Sequence, residues 1–184
     1  MWEDLVVDLL PWGGSGDPDR GTKVMRRFMP DRLYIPQTDS PGAIKRVLNE
    51  SGWVDGEVVA AGDLRQGKEP TVASMLLGTA LIEALRPQRA KTLPSHFVLA
   101  ATADRAVAFS VISTGSDEVG GTYELWLRPE EAGSWPRGSV RLVDLRKGAA
   151  STAGTLEIDG VASAPVYRPS HDPSSQELFT LLAR

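Results

Sequence analysis

The second half of the chain is a ladder of short runs in which apolar and polar residues alternate, and this pattern constrains the fold more than any other feature. On the first two runs, the apolar residues that share a face are Phe97, Leu99 and Ala101, then Val107, Phe109 and Val111. Because successive residues of a strand point to opposite faces, each run predicts a strand with one buried face and one wet face.

Tight turns join these runs into antiparallel hairpins. Ala103-Asp104-Arg105 is a short connection in which Asp can hydrogen-bond its own turn. Asp159-Gly160 is a second, because Gly accepts the positive φ of a tight turn. With a first strand at Glu57 to Leu64, the pattern predicts seven antiparallel strands.

Two irregularities interrupt the ladder. The apolar phase changes between Leu142 and Val143, which predicts a β-bulge or a strong bend at that point. Pro165 lies inside the last run, and proline lacks the N–H that a central strand donates. This strand is therefore predicted at a sheet edge.

A short amphipathic helix ends the chain. Asp172 or Ser174 is suited to cap it, and its apolar stripe is predicted to consist of Leu178, Leu181 and Leu182. Such a stripe must be buried, most simply against an open end of the sheet. The predicted fold class is β-rich α+β.

Three segments carry a resemblance to a known family. HFVLAATADRAVAF (96–109) resembles the strand-turn-strand core of bacterial pleckstrin-homology-like (PH-like) domains, and WPRGSVRLVDLRKG (135–148) with GTLEIDG (154–160) is similar to their second half. The resemblance covers about residues 54–184 and implies a seven-stranded antiparallel barrel or sandwich capped by the C-terminal helix. A helical insertion at about 70–88 departs from the simplest form. It displaces the loop that supplies basic residues in phosphoinositide-binding members.

Residues 1–53 are predicted to form a helical extension with a flexible Gly-rich loop. Trp2, Leu5 and Leu9 share one helical face, which either docks on the chain's own domain or binds a partner or a membrane surface. Acidic residues on the other face argue against anionic lipid. Ser40-Pro41 begins a second helix, whose inward residues are predicted to be Ala43, Ile44, Val47 and Leu48.

Composition excludes several classes of function. The chain has no cysteine, so disulfides, thiolate nucleophiles and cysteine-based zinc sites are ruled out. The net charge is −4 with acids and bases mixed, unlike the basic footprint of a nucleic-acid binder. The most apolar window, Val72 to Leu85, is too short to span a bilayer and contains Glu83. We expect a bacterial cytoplasmic protein without a cofactor or a metal.

Histidine chemistry can draw on two side chains, His96 and His171. His171 precedes Asp172 and has serines nearby, which a Ser-His-Asp hydrolase would require, but a helix-capping region explains the same residues. No G-x-S-x-G nucleophile motif occurs. No catalytic residue is assigned, and a hydrolase using His171 is the remote alternative.

Two groups of residues remain as candidate binding surfaces. The first is basic and either forms an anion or acidic-peptide site or is solubilising charge: Arg65, Lys68, Arg86, Arg89 and Lys91. The second group combines the N-terminal helix face with two tryptophans of the strand region. Trp126 is predicted to be exposed on the sheet, and Trp135 is predicted in a turn. These tryptophans either bind a partner or pack under the extension.

The sequence thus favours a non-catalytic binding or scaffolding module that mediates protein–protein contacts or assembles with copies of itself. The alternative is recognition of an anionic lipid headgroup or a small anion by the basic group, which would bring peripheral membrane contact.

Overall fold

The computed structural model describes residues 32–35, 41–67, 92–113, 125–148, 151–169 and 175–183. The described residues from Leu33 onward belong to one compact unit. Its elements are β1 (Leu33–Ile35), α1 (Ala43–Ser51), β2 (Ala60–Gln66), β3 (His96–Ala101), β4 (Arg105–Ser113), β5 (Leu125–Pro136), a 3-10 turn (Arg137–Ser139), β6 (Val140–Lys147), β7 (Ser151–Ile158), β8 (Ala162–Pro169) and α2 (Gln176–Leu182).

The strands form one open antiparallel sheet in the order β1-β5-β4-β3-β2-β8-β7-β6. The predicted β-rich α+β class is therefore confirmed. The described sheet has eight strands where the sequence predicted seven, and β1 is the additional one. β1 pairs with the start of β5, with Tyr34 opposite Trp126. The compact unit thus includes residues from Leu33, which the sequence placed in the N-terminal extension.

Local hydrogen bonds close the predicted hairpin between β3 and β4. The Thr102 hydroxyl donates to the Asp104 carboxylate at 2.9 Å and accepts from the Arg105 amide at 3.0 Å. The Arg105 carbonyl accepts from the Thr102 amide at 2.8 Å. Between β7 and β8, Gly160 adopts a φ of 70°, as the predicted Asp159-Gly160 turn requires.

The sheet is covered on both faces by apolar side chains. One cluster joins the inner faces of both halves of the sheet to α2 and includes Leu64, Phe97, Leu99, Leu142, Leu156, Val166, Leu178 and Phe179. The other lies beneath α1 and includes Ile44, Leu48, Val98, Ala100, Val107, Phe109, Leu125 and Leu127. The prediction that one face of β3 is exposed to solvent is wrong. The helix α1 covers that face, and residues 97–101 are all fully buried.

The burial predicted for the two helices is found in the structure except at one position of α2, where Phe179 is buried in place of Leu181. In α1, Ala43, Ile44 and Leu48 are buried, and the helix ends at Gly52 with a φ of 67°. In α2 the buried residues are Leu178, Phe179 and Leu182, whereas Leu181 is 38% exposed. Phe179 takes the place predicted for Leu181 and packs its ring 5.2 Å from the Arg168 guanidinium. The proposed caps Asp172 and Ser174 lie outside the described residues.

The helix α2 rests on β2 at a glycine. A Cβ at Gly62 would lie 2.8 Å from the Ser175 Cβ and 3.0 Å from the Leu178 Cδ2, so only Gly permits this approach. The next amide, that of Asp63, donates to the Ser175 hydroxyl at 2.8 Å. Ser175 therefore supplies the hydrogen bond that a neighbouring strand would otherwise provide at this part of β2.

The predicted irregularity in β6 lies slightly later than expected. Val143 pairs with Thr155 and Arg146 pairs with Ala153, so Asp144 and Leu145 together oppose Gly154. Asp144 has a φ of 54°, in the left-handed region that a bulge of this kind needs. A bulge thus interrupts the strand two residues after Leu142.

Pro165 does not lie on an edge strand, because β8 is placed between β2 and β7. The prediction was wrong because an interior strand can contain a proline at a position where the neighbouring strand does not require its N–H. The Pro165 carbonyl accepts from the Gly67 amide at 2.9 Å, just beyond the end of β2. The side on which Pro165 lacks a donor therefore faces the place where β2 stops.

Candidate functional site

Asp63 and His96 form a polar pair between β2 and β3. The Asp63 Oδ1 and the His96 Nε2 are 2.6 Å apart, and these side chains are 3% and 16% exposed. Asp63 follows the apolar first half of β2 and is buried, so its carboxylate needs a partner. Asp63 was not among the site residues predicted from the sequence, although a lone acid after an apolar run signals that a partner is required.

The geometry shows that this pair links β2 to β3. His96 is one of the two histidines that an imidazole mechanism would use. Among the described residues, its only side-chain hydrogen bond is to Asp63, and no serine or threonine hydroxyl contacts it. An activated nucleophile would have to lie within hydrogen-bond reach of the imidazole. His171, the remote candidate, lies outside the described residues.

Arg65 is the described member of the predicted basic group. It lies on β2 opposite His96 on one side and Tyr167 on the other, so these three side chains share a face of the sheet. The arginine is half-buried, and its Nε atom is buried. Lys68, Arg86, Arg89 and Lys91 lie outside the described residues, and anion recognition by this group stays a prediction.

The two tryptophans of the second group are not where the sequence placed them. Trp126 is 1% exposed and packs against Tyr34 with ring centroids 4.8 Å apart, so the expectation of an exposed ring is wrong. Its face is covered because β1 adds a strand beside β5. Trp135 is half-buried within β5, not in a turn, and its ring lies over Gly133. Trp2, Leu5 and Leu9 lie outside the described residues.

The clearest unpartnered feature of the described sheet is the outer edge of β6. In an antiparallel ladder, residues that exchange bonds with the neighbouring strand alternate with residues whose N–H and C=O point to the other side. The Ser139 carbonyl accepts from the Asp159 amide at 3.0 Å, and the Gly148 amide donates to the Ser151 carbonyl at 2.8 Å. Following this alternation along β6 from the two bonds shows that the N–H and C=O groups of Leu142 and Lys147 point away from β7.

These two outward positions differ in their surroundings. Leu142 forms a bridge with Ala183, just after α2, so the end of the chain covers this point of the edge. Nearby, the Arg137 guanidinium donates to the Leu181 carbonyl at 2.9 Å. Beyond the bulge, residues 144–147 are all exposed, and no strand of the described part pairs with them from outside. An extended segment can therefore reach the outward backbone groups of Lys147.

Within the described ranges, no three His, Asp or Glu side chains come together as ligands for a metal ion. Neither described helix is long and apolar enough to cross a bilayer. Comparison of the chain with protein-family models, with curated proteins and with solved structures gives no match.

Proposed function

We propose that this chain is a non-catalytic binding module that holds an extended segment of a partner protein along the outer edge of β6. The observation that carries the proposal is the outward backbone at Lys147, which follows a bulge and ends the sheet on that side. A segment added to such an edge gains main-chain hydrogen bonds, and its alternate side chains supply specificity.

The charge on this edge favours a particular partner. Arg146 and Lys147 are exposed and close together on the strand. Asp144, also exposed, is the acidic residue of the same stretch. An extended segment with acidic residues opposite these two basic positions would be attracted, whereas like charges directly opposite would be disfavoured.

Self-assembly through the other open edge is less well supported. β5 carries Pro129 with Arg128, Glu130 and Glu131, all exposed, beyond the three residues that pair with β1. Proline and charge on an edge are devices that prevent pairing with another sheet. The β6 edge is thus the better supported binding surface, and a different protein is a better supported partner than a second copy of this chain.

The proposed scaffold for this function is PH-like. Strands β2 to β8 lie beside their chain neighbours within each half of the sheet, β2 meets β8, and the C-terminal helix covers the shared core. These features support the resemblance that the sequence carries, with β1 as an addition beside β5. Distance measurements between labels on the two strands that placed β8 away from β2 would rule this scaffold out.

Photocrosslinking in the native host tests the binding proposal. A photoreactive phenylalanine analogue at Leu145, an exposed position of the same edge, is expected to capture a partner protein, and mass spectrometry identifies it. Lys147→Pro should abolish the interaction, because proline removes an outward N–H without removing a bond to β7. Lys147→Ala keeps that N–H and is the matched control.

Three outcomes would overturn the proposal. They are capture of this chain alone, equal capture by the proline and alanine variants, and no specific crosslink at all. Light scattering of the purified chain reports the first outcome independently, since assembly through β6 would raise the molar mass and Lys147→Pro would lower it again.

A further inference from the structure

A solvent-open groove of about 430 Å³ lies across β6, β7 and β8, where β2 stops after Gly67. Its walls include Asp144 and Arg146 from β6, Thr155 from β7 and Pro165 from β8. Its volume is within the range of sites that bind small molecules. The groove is therefore a candidate ligand site, separate from the outward backbone of β6.

The bulge in β6 shapes this groove. Because Asp144 and Leu145 together oppose Gly154, the strand bends and the side chain of Asp144 is redirected. The φ of 54° at Asp144 is costly for a residue other than Gly, although Asp tolerates it better than most. A Cβ at Gly154 would lie 2.9 Å from the Leu145 Cδ2 and 3.0 Å from the Val143 carbonyl, so the bulge requires this glycine.

In the described part of the chain, no other side chain pairs with the two charges at the groove. Within the described residues, neither the Asp144 carboxylate nor the Arg146 guanidinium forms an ion pair with the other or with any other side chain. Arg141, on the same strand, is by contrast 2.7 Å from Asp159 and 3.5 Å from Glu157. The strand thus neutralises one of its arginines and leaves an opposite pair of charges at the groove.

The remaining wall is apolar or neutral. Ala153 and Pro165 contribute aliphatic surface, and Thr155 contributes a hydroxyl. Ala153 pairs with Arg146, and Thr155 pairs with Pro165, so these side chains meet on one face of the three strands. A ligand that fits this set carries one positive group, one negative group and a short apolar body.

We propose that the groove binds a free aliphatic amino acid. The Arg146 guanidinium would hold the carboxylate, since its donors match the two oxygens, and the Asp144 carboxylate would accept from the ammonium group. The aliphatic side chain would lie on Ala153 and Pro165.

Titration with L-leucine, followed by the NMR signals of the Gly154 and Thr155 amides, tests the proposal. Two analogues each lack one charged group: isocaproate lacks the ammonium, and isopentylamine lacks the carboxylate. L-leucine is expected to shift both amide signals, and each analogue to bind about tenfold more weakly, because one charge-assisted hydrogen bond is lost.

Two variants assign the roles of the charges. Arg146→Gln should weaken L-leucine about tenfold and leave isopentylamine unchanged, because that amine has no carboxylate to lose. Asp144→Asn should weaken L-leucine and leave isocaproate unchanged, and Asn tolerates the same left-handed backbone. Arg128→Gln, which removes an exposed charge of β5 that does not line the groove, should leave the binding of all three ligands unchanged.

The inference fails if millimolar L-leucine shifts neither amide, if the analogues bind as tightly as L-leucine, or if Arg128→Gln weakens binding as much as Arg146→Gln. Arg146 is shared by the two proposals, but partner capture depends on the outward N–H of Lys147, and ligand binding in the groove does not. Lys147→Pro should abolish that capture while preserving the response to L-leucine, so the two proposals fail separately.

Discussion

Strand β3 and the second half of β6 belong to the same sheet but differ in how much of each is covered. β3 has strands on both sides and apolar clusters on both faces, and residues 97–101 are fully buried. Residues 144–147 of β6 are exposed, have one neighbouring strand in the described part of the chain and contain a bulge with a left-handed residue. The regular strand holds the fold together, and the irregular one offers unused backbone and charge. Departures from local rules are expected at functional sites, where they are compensated elsewhere.

The largest expected effect comes from truncating one apolar side chain in each strand. Phe97→Ala is expected to lower the free energy of unfolding by about 3 to 5 kcal/mol, because the ring is fully buried and its loss leaves a cavity. Leu145→Ala should cost much less, since Leu145 is 40% exposed. Urea unfolding measures both. Equal losses would show that the second half of β6 is packed as tightly as β3.

Removal of the imidazole tests the buried pair that joins β2 to β3. His96→Ala is expected to lower the free energy of unfolding by about 1 to 3 kcal/mol, because the Asp63 carboxylate stays buried without its partner. His96→Gln can still donate an N–H to that carboxylate and should recover part of the loss. If both variants matched the unsubstituted chain in urea unfolding, the pair would have no structural role.

Addition of one methyl group tests the contact between α2 and β2. Gly62→Ala is expected to cost about 1 to 3 kcal/mol of stability, because the new Cβ would lie 2.8 Å from that of Ser175 and force the helix to move. Gly138→Ala is the matched control, since a Cβ there meets nothing within 4 Å. Thermal unfolding of the two variants compares them directly, and an equal change in midpoint would contradict the close approach.

Much of the fold could be predicted from the sequence because hydrophobic alternation determines which residues face the core. All seven predicted strands occur in the structure, as do the Ala103–Arg105 and Asp159-Gly160 turns. β1 was missed because three residues are too few for alternation to be visible. The position of Pro165 was wrong because strand order depends on tertiary pairing, which no local pattern records.

The Asp63–His96 pair and the groove beside β6 were harder to predict, since each depends on which residues lie opposite one another in neighbouring strands. Asp63 meets His96 across two strands that are far apart in the chain, and the sequence places the insertion between them. Asp144 and Arg146 look like ordinary surface charge until the bulge brings them to the groove. Burial of Trp126 likewise depends on the unforeseen strand β1. Sequence reasoning identified the residue types but not their neighbours.

The smallest expected effect comes from relieving the backbone of β6. Asp144→Gly should raise the free energy of unfolding by at most about 1 kcal/mol, because Gly adopts a positive φ without the steric cost that Asp bears. Asp144→Ala keeps that cost and loses the side chain, so it should be less stable than the glycine variant in urea unfolding. A glycine variant less stable than the alanine variant would mean that the bulge carries no strain. A stabilised Asp144→Gly that no longer responds to L-leucine would instead show that the chain retains a strained aspartate for the sake of its carboxylate, since stability alone favours glycine at this position.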